Sequence, residues 1–135
     1  MLKIAMLAAV FALFATESVS QEVEAGRALF RTHCATCHGL EARGNGPMAG
    51  VLTVQPINLT ELAAANGGSF PMKRVIERID GRDPLVSHGS PMPVYGDYFE
   101  TLFDLSVRTP DGDTVKTSRP VLDLVMYLQS VQVAD

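Results

Sequence analysis

The chain has 135 residues, a net charge of −4, two cysteines and no tryptophan. That length, with an apolar fraction of 47%, suits one domain with its own core. The acidic balance argues against a nucleic-acid partner, and two cysteines are too few for a multi-bridge disulfide scaffold.

The first residues differ in character from the rest. Lys3 precedes an almost pure apolar run from Ile4 to Ala15, and Ser18-Val19-Ser20 offers small residues ahead of a cut. This is the pattern of a secretory signal peptide over residues 1–20, which leaves 21–135 as one mature domain. An apolar run of about 12 residues falls short of the roughly 20 that span a bilayer, so no stable membrane insertion is expected after cleavage. No cysteine lies near the cut to take a lipid anchor.

Glu22 to Arg31 is predicted helical, with Val23, Gly26 and Phe30 on one face and Glu22 on the solvent side. Gly26 costs about 1 kcal/mol against alanine in mid-helix, so it marks a close backbone approach by another element. Residues 39–50, "GLEARGNGPMAG", are a loop. Asn58-Leu59-Thr60-Glu61 has the form of a capping box opening a short helix, which Asn66-Gly67-Gly68 closes. Ser69 and Pro71 start a further helix, whose stripe is Met72, Val75, Ile76 and Ile79 and whose end is Gly81. Residues 82–97 carry prolines and glycines without periodicity and form a structured loop. Residues 105–117 could form a small hairpin around the turn Thr109-Pro110-Asp111-Gly112. The last helix is expected from Thr117, with Pro120 in its first turn and Val121, Leu124, Val125, Leu128 and Val131 as its buried stripe. No other strand is evident, and the fold class is all-α apart from that hairpin.

Both cysteines fall in "THCATCHG", residues 32–39. A thioredoxin-like dithiol needs a preceding strand and a βαβ context, whereas here a helix precedes and a glycine-rich loop follows. A structural zinc site wants four ligands, and Cys34, Cys37 and His38 supply three. His33 is expected to point elsewhere, which leaves His88 as the other candidate. A plain disulfide leaves His38 unexplained. Cys-x-x-Cys-His is the attachment signature for c-type haem. Two thiols become thioethers on the haem vinyl groups, and His38, the next residue, is held under the iron as proximal ligand.

With "CATCHG", "GNGP", "MPVYGD" and the closing "LVMYLQS", the mature chain resembles a class I, monohaem cytochrome c over nearly all of residues 21–135, apart from the stretch around 98–117. The resemblance implies that the first and last helices cross at close quarters, with Gly26 admitting the Tyr127–Leu128 region. Short helices would surround one covalently bound haem c. It further implies that the Pro47 carbonyl accepts a hydrogen bond from Nδ1 of His38. The distal ligand is expected to be a methionine. Met72 sits on a helical stripe, Met126 lies inside the last helix, and Met48 follows His38 too closely to reach the opposite face. Met92 stands in "SPMPVYG" between prolines that exclude helix, in the Met-Pro context the family uses, and it is taken as the distal ligand. His88 is the alternative on that loop. Tyr95 and the Gly81-Arg82 pair could line the propionate edge, with Arg43, Arg74 and Arg82 as the available cations.

The function this implies is single-electron transfer by an exported, periplasmic carrier that is not an enzyme. Its iron is ligated by His38 and Met92, and its donor and acceptor are other redox proteins. The rival readings are an open-site haem enzyme or sensor and a cytochrome subunit dedicated to one dehydrogenase complex, for which residues 98–117 leave room.

Overall fold

The computed structural model describes residues 19–84, 90–96, 98–99 and 105–133. The apolar run of the expected signal peptide, and His88, lie outside the described residues.

Residues 19–33 are helical (α1). After a turn at Cys34 comes a short second helix, α2 (Ala35–His38). Three single 3₁₀ turns follow, at Ala49–Val51, Leu59–Glu61 and Ala64–Asn66. Then come α3 (Met72–Asp80), strands β1 (Leu105–Arg108) and β2 (Thr114–Thr117), and α4 (Arg119–Ser130). The fold is therefore helical with one small hairpin, as expected. The Asn58 cap is present, its side chain accepting from the Thr60 N–H at 3.0 Å, but what it opens is a 3₁₀ turn. Gly81 ends α3 in the left-handed conformation.

Phe30, Ile76, Val121, Leu124 and Val125 are essentially fully buried and form the centre of the core. Each such side chain contributes about 1.5–3 kcal/mol of transfer free energy. α1 meets α4 at Gly26. A Cβ at that position would strike the carbonyl oxygen of Asp123 and lie 2.9 Å from Cβ of Tyr127. The approach therefore begins a turn earlier on α4 than the expected Tyr127–Leu128. Phe30 packs beside it, its ring centroid 5.2 Å from that of Tyr127 at an interplanar angle of 48°. Arg119 closes the same seam, 2.8 Å from Glu22 and 2.9 Å from Asp123. Glu22, expected on the solvent face, is thus drawn into an inter-helix ion pair.

The hairpin is antiparallel, with Leu105 opposite Thr117 and Val107 opposite Val115. Thr117 is engaged in this ladder and is fully buried, so α4 starts at Arg119 rather than at Thr117. The hairpin is fastened along α3. Lys73 reaches Asp113 at 3.2 Å. At the other end Arg82 donates to the buried carboxylate of Asp80 at 2.6 Å and to the Lys116 carbonyl at 2.5 Å. Arg82 was available on sequence grounds as a cation for the propionate edge; it is spent here on the hairpin. Its bond to Asp80 raises the guanidinium pKa above the ordinary value, although burial opposes this. Arg82→Ala should cost about 1.5–3 kcal/mol in chemical unfolding, because a buried carboxylate loses charged hydrogen bonds. An unchanged unfolding midpoint would show that the hairpin needs no such clasp.

Candidate cofactor site

α1 ends at His33 and the chain turns at Cys34, so Cys34, Cys37 and His38 come to one side of the α1–α2 corner. The turn is held by backbone bonds from Cys34 N to Phe30 O (2.8 Å) and from His38 N to Cys34 O (2.9 Å). The last carbonyls of α2 are then capped by the following loop. Gly44 N donates to His38 O at 2.8 Å, Gly46 N to Cys37 O at 3.0 Å and Met48 N to Thr36 O at 3.0 Å. Pro47, which has no N–H to offer, sits between two of these donors. Gly46 must be glycine, since a Cβ there would come 2.6 Å from the Cys37 carbonyl.

Two adjoining cavities of about 260 and 270 Å³ open beside this corner. They share Cys34, His38, Ile57, Leu59, Arg78 and Met92 and so form two lobes of one cleft. The first lobe is walled by Cys37, Leu52, Val54 and the prolines around Met92, and the second by Phe30, Val75, Ile79, Leu124 and Leu128. The lining is mainly apolar, as a buried cofactor site requires.

Cys34 and Cys37 form no disulfide with each other. Burial, with the charge of Cys37 adding to it, pushes the Cys34 thiol up to about 12, so it stays neutral and is unsuited to act as an exchanging dithiol. His38 is buried, and burial lowers its pKa while the carbonyl of Ile57 works against that shift. Nδ1 lies 3.3 Å from Ile57 O. A neutral ring donating Nδ1–H there leaves Nε2 as the nitrogen with a free lone pair, which is the state a metal ligand needs.

The acceptor for His38 is therefore Ile57, where Pro47 was expected. Pro47 is exposed, and it is the Ile57 carbonyl, not that of Pro47, that stands 3.3 Å from His38 Nδ1. Of the described methionines, Met92 lines the cleft, on both lobes. Met72 is 6% exposed within the core, and Met48 is exposed. Met92 N–H is held by Ser90 Oγ at 3.1 Å. Tyr95 lines the first lobe, and its phenol, pushed above its ordinary value chiefly by burial, remains a donor. Arg74 reaches the second lobe, whereas Arg43 pairs with Glu41 at 3.4 Å.

Two contributors were missed. Arg78 lines both lobes, 3.5 Å from Asp83; its spacing from Arg74, next to the stripe residues Val75 and Ile79, was the available signal. His33, expected to point away, lines the first lobe. Its ring meets those of Tyr95, Tyr98 and Phe99 with centroids 5.9, 5.1 and 5.6 Å away.

A thiol pair and an imidazole on one wall, with a thioether facing the same apolar cleft, make a donor set suited to a covalently held haem. The family model described as cytochrome c matches residues 23–132, and the chain belongs to the cytochrome c family. It is a haem-binding electron-transfer protein, and the family's group is haem c, covalently attached, of which a domain this size takes one. Neither the comparison with curated proteins nor that with solved structures returned a match.

Proposed function

We propose that the protein is an exported, periplasmic carrier of single electrons between redox proteins, with His38 and Met92 as axial ligands and no enzymatic activity of its own. The observation that carries this reading is that His38 and Met92 both line both lobes of the cleft. Haem, when bound, supplies an iron that alternates between Fe(II) and Fe(III). The chain's own residues do the rest. Cys34 and Cys37 provide the two covalent anchors. Ile57 orients the His38 ring and makes its nitrogen more basic, while Pro47 stiffens the loop that caps α2. Met92 offers neutral sulfur, which favours the reduced state. The apolar walls exclude water, and Arg74 and Arg78 bring guanidinium groups to the lining, that of Arg78 paired with Asp83.

One feature supports export. Residues 1–20 have the form of a signal peptide. Among the described residues no helix is long and apolar enough to cross a membrane. Partners would be redox proteins met through a small, transient interface.

Mass spectrometry of protein isolated from the periplasm tests the reading. The wild type should weigh as residues 21–135 plus one haem, and should keep that haem through acidic acetone. Cys34→Ala combined with Cys37→Ala should give the bare chain. A wild type that loses all its haem to acetone, or that retains residues 1–20, contradicts it.

A further inference from the structure

The Met92 loop is held from two directions. On one side it presses onto the end of α3. Tyr95 N donates to Ile79 O at 2.7 Å, and Gly96 passes so near the Asp80 carbonyl that a Cβ would strike it. On the other side the Tyr95 phenol crosses to the thiol segment and donates to His33 O at 2.9 Å. His33 immediately precedes Cys34, and Pro93 stiffens the chain between Met92 and Tyr95. One side chain thus links the loop that bears the thioether to the backbone that bears the thiols.

We propose that Tyr95 is a positioning residue, which ties the Met92 loop to the backbone in front of Cys34 and so holds the thioether across the cleft from His38. This rests on the assignment of Met92 as distal ligand made above. Met92 has no helix or strand to fix it, and a ligand must be held within about 0.5 Å to bind reliably. The Tyr95 ring is already wedged edge-on to His33 and stacked on Phe99, each with centroids 5.9 Å apart. A phenylalanine would keep those contacts. The phenolic oxygen adds the bond across the cleft wall, which packing alone does not supply.

The test is the Tyr95→Phe holoprotein, titrated with imidazole in the ferric state while the weak far-red sulfur-to-iron band is followed. Half-loss of the band should need about three- to tenfold less imidazole than in the wild type, the weight of one hydrogen bond. The reduction potential should fall with it. Tyr98→Phe, which removes an exposed phenol from the same group of rings, should stay within about twofold of wild type. Tyr95→Phe staying within about twofold as well, or Tyr98→Phe shifting equally, overturns the proposal while leaving Met92 as ligand. A ferric wild type without the band, or a Met92→Ala variant that keeps it, removes the ligand assignment and this proposal together.

Discussion

Gly26→Leu should destabilise the protein by at least about 3 kcal/mol in denaturant unfolding, at the upper end of overpacking effects. The obstacle is backbone: the new side chain would begin where the Asp123 carbonyl oxygen already sits. A flexible side chain can turn aside, but a carbonyl inside α4 moves only with its helix. Separating the helices would also pull apart the Phe30–Tyr127 ring contact and draw Arg119 from Glu22. The strain would reach the cleft, because Phe30 O holds the Cys34 amide. Gly26→Ala should also destabilise, despite a helix-propensity gain of about 1 kcal/mol. The control is exposed Arg31→Gln, expected within about ±0.5 kcal/mol. Glu22 cannot serve as that control, being paired with Arg119. If Gly26→Leu unfolds at the wild-type midpoint, the helix contact is not as described.

What could be read from the residues, and what could not, follows from the range of the forces involved. The helices declared themselves because burial of one face imposes a 3.6-residue period, and the Thr109–Gly112 turn marked the hairpin because its residue types suit that backbone. The start of α4 was misplaced because Thr117 serves a partner strand, and cross-strand pairing leaves no local mark. The meeting of Cys34, Cys37 and His38 at one cleft was legible because the attachment signature sets their spacing. That Met92 faces the cleft was legible because its flanking prolines deny it a helix. The Ile57 carbonyl was not legible: any residue can offer a backbone oxygen, and only the folded loop decides which one faces Nδ1 of His38. Arg78 and His33 were overlooked for different reasons. The first had a spacing that could have been followed, whereas the position of the second depends on α1 ending one residue before Cys34.

Met92→Ala should have the larger functional effect. Removing the thioether leaves a half-buried gap beside the cleft and takes neutral sulfur away from the iron side, so the reduction potential should fall and small ligands should gain entry. Met72→Ala is the informative contrast. Met72 is buried in the core and lines neither lobe, so its loss should cost about 2–5 kcal/mol of stability while the far-red band persists. If Met72→Ala opens the iron and Met92→Ala does not, the two methionines have been assigned the wrong way round.

The carrier reading depends most directly on whether the iron is closed by the protein's own ligands, and carbon monoxide binding to the ferrous wild type measures that. The wild type should bind carbon monoxide slowly and weakly, and Met92→Ala should bind it readily. Rapid, tight binding by the wild type would contradict a closed His38/Met92 site and would make the protein an open-site haem enzyme or sensor instead.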